Sequence, residues 1–332
     1  MIQTILLKNR PKGTPTPSDF EFVKEDINLT PKEGELLLDT VYVSVDPYLR
    51  SRMSDAKSYI PSFELNKPIH SGVVAKVTAS KNDNFKEGEF VMGMLDWKTQ
   101  QISSGKELMK VDGDKAPLSA YLGILGMTGL TAYLGLTQIG KPVAGETLIV
   151  SGAAGAVGSV VGQIAKNLGL NVIGIAGTDE KVALLKSKFG FDAGINYNTS
   201  TDIRADIAKA APNGIDIYFD NVGGPISDAV LFNINKFSRT INCGAISVYN
   251  ETELPQSVSV QPFLVKNSSL MQGFIVSDYE KKFPEAMQQL AEWLAAGKLT
   301  YTETVVEGFE NIPKAFMDLF EGKNTGKMIV KI

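Results

Sequence analysis

The stretch from Thr147 to Gly158, T-L-I-V-S-G-A-A-G-A-V-G, constrains the fold more than any other part of the chain. Thr147 to Ser151 is short, apolar and β-branched, as a buried strand requires. Gly152, Gly155 and Gly158 follow at a spacing of three. A helical pattern then begins, with Val157, Val160, Val161, Ile164, Ala165 and Leu168 on one face and Gly169 as its stop. Strand, glycine turn and helix form the first unit of a dinucleotide fold. The glycines admit a pyrophosphate close to the backbone, and the helix N-terminus offers N–H groups and a partial positive charge. The motif reads Ala153-x-Gly155-x-x-Gly158, so alanine replaces the first glycine. Glycine turns also join strands to helices for steric reasons alone, so the surrounding pattern must decide.

That pattern is a run of alternating elements. Strands are expected at Asn171–Ala176, Ala193–Asn196, Ile215–Asp220, Arg239–Gly244 and Leu270–Ile275. Helices are expected at Asp179–Phe189, Thr201–Ala211, Pro225–Lys236 and Glu280–Ala296. Repeated β-α alternation predicts an α/β fold, a doubly wound parallel sheet. Ahead of it, Leu122–Leu136 reads as a helix pair lining a cleft. The first 120 or so residues differ in character. Short strands at Ile2–Lys8, Leu36–Val45, Ile69–Thr78 and Glu89–Met92, with a helical turn at Tyr48–Met53, suggest a barrel-like β domain. After Gly297 strands return at Glu303–Glu307 and Met328–Ile332, around a helix at Asn311–Glu321. The tail is expected to rejoin the N-terminal domain, giving a β domain of residues 1–122 plus 298–332 and an inserted nucleotide domain of residues 123–297.

At 332 residues, 43% hydrophobic and 21% charged, the chain reads as an ordinary globular protein of two domains. A net charge of −4 argues against a nucleic-acid surface as the main function. No apolar window approaches a membrane span, and M-I-Q-T-I-L-L-K-N-R does not read as a signal peptide, so the cytoplasm is the expected compartment. Cys243 and His70 are the single cysteine and histidine. An intrachain disulfide is therefore impossible, a four-ligand Cys/His zinc site is impossible, and no metal is expected.

The end of the second strand reports on the nucleotide. An acid at its tip binds the ribose hydroxyls of NAD. Here the tip is Ile175-Ala176-Gly177-Thr178, with Asp179 and Glu180 behind it and Lys181 on the next helical turn. A small tip followed by lysine favours the 2′-phosphate of NADP(H). The competing reading makes Thr178, Asp179 and Glu180 a helix cap and Lys181 a solvated charge. His70 is expected to be structural, and Cys243, inside an apolar strand, a buried inert thiol. Tyr249 falls just past the carboxyl end of a strand, where such folds bind ligands. Catalysis and amphipathic packing both suit it.

These motifs together resemble the zinc-independent medium-chain dehydrogenase/reductases. Within them they resemble the branch of prostaglandin reductases (leukotriene hydroxydehydrogenases) and plant double-bond reductases. The resemblance is carried by V-S-V-D-P-Y-L-R at 43–50, G-M-T-G-L-T-A-Y at 126–133, S-G-A-A-G-A-V-G at 151–158, and G-T-D-E-K at 177–181. It continues in N-Y at 196–197, F-D-N-V-G-G at 219–224, C-G-A-I-S-V-Y-N at 243–250, Q-G-F-I-V at 272–276 and G-K-N-T-G-K at 322–327. It implies a Rossmann domain inserted into a GroES-like domain, NADPH as hydride donor, and α,β-unsaturated ketones or aldehydes as substrates. It implies that Gly155, Ala156, Val157 and Gly158 hold the pyrophosphate, and that Lys181 and Tyr197 clasp the 2′-phosphate. Asn221, with Cys243, Gly244 and Tyr249 of the following loop, would contact the cofactor. Thr128, Phe274, Ile275 and Val276 would lie near the nicotinamide, and Asn324 would reach the cofactor from the tail. Tyr249 matches a tyrosine that assists the reaction, and Tyr48 one in the substrate pocket. The region from Ser54 to Pro68 and His70-Ser71 departs from the glycine-rich or glutamine-containing forms of the branch, which leaves the substrate unspecified.

The expected reaction delivers hydride to the β-carbon of an enone, and a hydroxyl steadies the enolate oxygen, either that of Tyr249 or a ribose hydroxyl that Tyr249 orients. Three other readings stand beside it. An NADPH quinone oxidoreductase differs only in acceptor. A non-enzymatic NADPH-binding protein would bind without turnover. A zinc alcohol dehydrogenase is disfavoured by the cysteine and histidine count. A homodimer paired through the nucleotide domain is expected by analogy.

Overall fold

The computed structural model describes residues 1–253 and 255–332. In chain order its strands and helices begin with β1 (Ile2–Leu7), β2 (Phe20–Glu25), β3 (Leu36–Ser44), α1 (Leu49–Arg52), β4 (His70–Ser80), β5 (Phe90–Asp96), β6 (Gln100–Ser103) and β7 (Met109–Val111). There follow α2 (Met127–Leu134), β8 (Thr147–Ser151), α3 (Gly158–Asn167), β9 (Asn171–Ala176), α4 (Asp179–Ser187), β10 (Ala193–Asn196), α5 (Ile203–Ala210) and β11 (Ile215–Asp220). The chain continues through α6 (Gly224–Leu231), β12 (Ile234–Asn242), α7 (Gln261–Asn267), β13 (Leu270–Gly273) and α8 (Phe283–Ala295). It ends with β14 (Glu303–Glu307), α9 (Ile312–Phe320) and β15 (Lys327–Lys331). Two compact units result. One comprises residues 1–123, 304–324 and 328–332, the other 124–303 and 325–327.

The first unit is built on a sheet ordered β14-β15-β3-β4-β5-β7, with β6 also on β3 and a separate β1-β2 ribbon. The pairs of β3 with β4, β6 and β15 are antiparallel. Its core gathers Leu36 and Leu38 of β3, Val73 and Val77 of β4, Trp97, and Phe316 of α9. Trp97 is fully buried, so its indole N–H needs a partner. It donates to Ser71 Oγ at 2.8 Å, and Ser71 in turn donates to the Ser44 carbonyl at 2.7 Å.

The second unit is a six-stranded parallel sheet ordered β10-β9-β8-β11-β12-β13. This is the order of a Rossmann sheet, in which the order of strand addition reverses between the first and fourth strands, here β8 and β11. All five residues of β8 are buried, because helices cover both faces. Val160, Val161, Ile164 and Ala165 of α3 are buried against it. Each of the three larger side chains contributes about 1.5–3 kcal/mol by that burial.

The structure corrects several expected boundaries. Leu122–Leu136 is not a helix pair. It holds the single helix α2, which loosens into a wider-turned segment over Gly135–Gly140. The helix expected to reach Lys236 stops at Leu231, and β12 begins at Ile234 rather than Arg239. The strand also ends at Asn242, so Cys243 lies just outside it, not within it. Likewise β13 ends at Gly273, which leaves Phe274 and Ile275 beyond its carboxyl end.

Candidate functional site

The glycine turn is a cradle whose walls are backbone. Gly152 has φ +61°, which turns β8 toward α3. A Cβ at Gly158 would stand 2.4 Å from the Gly152 carbonyl oxygen, and one at Gly155 would stand 3.2 Å from it. Any larger residue at Gly158 would force the turn open. Helix α3 has no side-chain cap, and while the Ser159, Val160 and Val161 N–H groups bond to the Gly155 and Val157 carbonyls, the N–H groups of 156–158 at its start are those a phosphate can take. Gly155, Ala156, Val157 and Gly158 thus stand together at one helix start. The tail braces this turn. Gly326 N–H donates to the Ala154 carbonyl at 2.7 Å, and Gly326 pairs with Gly155 as a parallel bridge. Gly326 has φ +67°, and a Cβ there would lie 1.8 Å from the Thr302 carbonyl oxygen. Gln163 of α3 fixes Thr300 from both ends of its amide, at 2.9 and 2.8 Å. Sequence reasoning named neither Gly326 nor Gln163 as a support. The G-K-N-T-G-K tail carried the only signal.

At the tip of β9, Thr178 caps α4 by accepting the Lys181 N–H at 3.2 Å. Lys181 is half-buried, and burial lowers its pKa. Tyr197 follows β10 directly, and its ring leans over Gly177. A Cβ at Gly177 would meet the Tyr197 hydroxyl at 2.9 Å. Lys181 and Tyr197 therefore flank the same small tip.

The point where the sheet order reverses carries a buried carboxylate. Asp220, 3% exposed at the end of β11, accepts Ser151 Oγ at 2.8 Å, the Val222 and Gly223 N–H groups at 2.9 Å, and Ser227 Oγ at 2.8 Å. Asn221 bridges back to β8, donating to Ser151 Oγ at 2.9 Å and to the Ser151 carbonyl at 2.8 Å. The carbonyls of this turn then hold the 243–249 loop. Asp220 accepts Cys243 and Gly244 N–H groups at 2.8 and 3.2 Å, and Val222 accepts Ser247 N–H at 3.1 Å. At the loop's end the Tyr249 hydroxyl accepts the Ala245 N–H at 3.1 Å. Burial raises the Tyr249 pKa against that one lowering contact, so the phenol keeps its proton. The hydrogen bond fixes the oxygen without using that proton. Burial, with Asp220 nearby, pushes the Cys243 thiol up to about 12, which fits an inert group.

Around α2, Thr128 is 6% exposed, and its hydroxyl has no hydrogen-bond partner. A buried orphan hydroxyl costs about 1–3 kcal/mol unless something else fills its valence. Phe274 stands edge-on to Phe219 at 6.4 Å and to Tyr279 at 6.3 Å. A Cβ on Gly135 would strike its ring at 2.6 Å. Val276 packs with Leu130 and Leu134 of α2, and the Ile275 carbonyl accepts Asp278 N–H.

Tyr48 and Asn324 belong to the first unit. Tyr48 precedes α1 and packs on that unit's core, where burial and Asp46 raise its pKa. His70 is engaged as a structural residue would be. Its Nε2 lies 2.7 Å from an Arg52 guanidinium nitrogen, and its ring is edge-on to Phe63. Burial and Arg52 lower its pKa, so it accepts from Arg52.

Two family profiles match this chain, one described as the N-terminal domain of oxidoreductase over residues 3–111, the other as zinc-binding dehydrogenase over residues 156–292. An NADPH-dependent curcumin reductase of Escherichia coli is 41% identical, covering 98% of this chain and 96% of its own. A 2-alkenal reductase (NADP+-dependent) of Nicotiana tabacum is 43% identical over 99% of this chain and 96% of its own. The crystal structure of CurA from Vibrio vulnificus in complex with NADPH superposes with a TM-score of 0.94 at 45% identity, covering 99% and 98% of the two chains. This chain belongs to the zinc-independent medium-chain dehydrogenase/reductases. Despite the description of the second profile, the described residues hold no group of three or more His, Cys, Asp or Glu able to bind a metal. What this medium-chain reductase does present fits a dinucleotide: a cradle at Gly155 and Gly158 that a side chain would fill, and the orphaned hydroxyl of Thr128.

Proposed function

We propose that the chain is an NADPH-dependent reductase of the carbon–carbon double bond of α,β-unsaturated ketones and aldehydes. The observation that carries the reading is the pairing of an uncapped, glycine-walled helix start with Lys181 and Tyr197 at the neighbouring strand tip. That is a site for a pyrophosphate and for an additional phosphate on the ribose. The names of the E. coli and tobacco relatives, and the NADPH in the Vibrio structure, support the same cofactor and chemistry.

The bound cofactor supplies the hydride. The chain's own part is to bind, orient and handle charge. Gly155, Ala156, Val157 and Gly158 cradle the pyrophosphate, and Asn221, Cys243 and Gly244 form the wall beside it. Thr128 offers its unpartnered hydroxyl to the nicotinamide end, where Phe274, Ile275 and Val276 supply an apolar backing. Tyr249 donates its retained proton toward the substrate oxygen, which gains negative charge as the double bond is reduced. A donor set in advance toward that oxygen stabilises the transition state at no reorganisation cost. Asn324 and Tyr48 are assigned by resemblance, the first to the cofactor and the second to the substrate.

The second unit is then the Rossmann domain and the first the GroES-like domain. A homodimer is supported by β13, which ends the sheet order and exposes Leu270, so its outer edge is available for pairing with a second copy. The cytoplasm is supported by a single cysteine, which precludes an intrachain disulfide. Among the described residues no helix is long and apolar enough to cross a membrane.

The test is Tyr249→Phe, assayed as NADPH oxidation with an enone. The variant is expected to lose about 10²–10³ in kcat with little change in NADPH affinity. Wild-type turnover would remove Tyr249 from the mechanism.

A further inference from the structure

Two acids, Asp179 and Glu180, follow the tip of β9 at the place where an NAD site keeps a carboxylate for the ribose hydroxyls. Beside a ribose phosphate the same carboxylates would repel. Both are tied down locally. Glu180 is bonded by its own N–H and by Thr178, which hold it below the usual carboxylate range. Asp179 is bonded by a residue from the neighbouring strand. Asn196 ends β10 and lies opposite Ala176, the last residue of β9, in the parallel register. Its Nδ2 donates to Asp179 Oδ1 at 2.7 Å.

The other end of the same amide is also used. Asn196 Oδ1 accepts the Asn198 N–H at 3.0 Å, closing an Asx turn with Tyr197 at its centre. Tyr197 N–H donates to the Ala176 carbonyl at 3.1 Å, and Asn198 Nδ2 donates to the Gly177 carbonyl at 2.7 Å. One neutral side chain thus turns an acid toward β10 and shapes the turn that presents Tyr197. A carboxylate at position 196 could still accept the Asn198 N–H but could not donate to Asp179, and would repel it instead.

We propose that Asn196 is a specificity-determining positioning residue, which sets the preference for NADPH over NADH by restraining Asp179 and framing Tyr197. The inference rests on reading Lys181 and Tyr197 as the groups that take the 2′-phosphate. Asn196 acts through Asp179 and Tyr197 and does not touch the nucleotide itself.

The test measures, by titration calorimetry on the full chain, the Kd of 2′,5′-ADP, which carries the 2′-phosphate, and of 5′-AMP, which lacks it. Asn196→Ala is expected to weaken 2′,5′-ADP about tenfold while 5′-AMP stays within about twofold. KM for NADPH rises in step, while kcat at saturating NADPH holds. Adding Asp179→Asn to Asn196→Ala is expected to return 2′,5′-ADP to within about threefold of wild type, because the released charge is then gone. An unchanged 2′,5′-ADP affinity in Asn196→Ala, with Lys181→Ala still weakening it, overturns the inference and leaves the phosphate site standing. Equal loss of both nucleotides also overturns it, since Asn196 would then be purely structural, and no recovery with Asp179→Asn overturns the restraint of Asp179 as its cause. If Lys181→Ala and Tyr197→Phe both leave 2′,5′-ADP binding intact, the phosphate site itself fails and takes this inference with it.

Discussion

Asp220 is the most exposed point of the account to attack by mutation, because one buried carboxylate organises two loops. Replacing it with alanine removes the acceptor of two backbone N–H groups, Val222 and Gly223, and of two hydroxyls, Ser151 and Ser227. The hydroxyls can rotate toward other acceptors. The N–H groups are fixed by the backbone, with φ +71° at Gly223. Each orphaned donor in this half-buried turn costs up to about 1–3 kcal/mol, so Asp220→Ala is expected to cost about 2–5 kcal/mol with the small cavity included. Asp220→Asn retains one acceptor oxygen and exchanges charge-assisted bonds for neutral ones, and should cost about 1–2 kcal/mol. Ser227→Ala should cost less than either. The assay is urea denaturation followed by far-UV circular dichroism, read as a shift in midpoint at constant slope. The same turn holds Ser247 and Ile246 through the Val222 and Asn221 carbonyls, so Asp220→Ala should also lower kcat/KM by displacing Tyr249. An alanine variant within about 1 kcal/mol of wild type would refute the reasoning, since orphaned N–H groups cannot be that cheap.

Other perturbations probe separate parts. Gly177→Ala places a Cβ against the Tyr197 hydroxyl, the far end of a movable side chain, so stability should change little. KM for NADPH should nevertheless rise severalfold with KM for NADH unmoved, as steady-state kinetics with both cofactors would record. His70 titrates in the folded chain below its unfolded value of about 6.5. The unfolded chain therefore binds more protons there, and stability is lost as pH falls from about 7 through 6.5 toward the folded pKa. His70→Gln, which keeps an acceptor for Arg52, should flatten thermal-melt midpoints measured between pH 8 and 5. The raised pKa of Cys243 predicts slow alkylation by iodoacetamide at pH 8 in the folded chain and rapid alkylation in urea.

The parallel sheet was legible because buried parallel strands are written as short β-branched runs, and glycines punctuate them. T-L-I-V-S and I-D-I-Y-F-D need no partner to be recognised. The end of α6 was not legible. Phe232-Asn233-Ile234-Asn235-Lys236 has no glycine or proline stop, and β12 takes over where helical spacing still continues. Strands β2, β6 and β7 were missed because they lie on ribbons or edges with few buried residues, so their alternation is weak. Helix α7 was missed for the same reason, since it buries no residue fully. At the site, Lys181 could be read from its spacing after Thr178. Asn196, Gln163 and Gly326 could not, because their roles depend on partners 17, 137 and 172 residues away in the chain. Only the folded register brings those partners together.

The central claim is that this chain moves a hydride from NADPH to the β-carbon of an enone. It is tested most directly with NADPH deuterated at the transferable position, incubated with a simple α,β-unsaturated ketone, and the product analysed by NMR. The account predicts a saturated ketone with one deuterium at the β-carbon, and much slower reaction with deuterated NADH. Deuterium on the carbinol carbon of an allylic alcohol would contradict it, as would failure of the enone to oxidise NADPH at all.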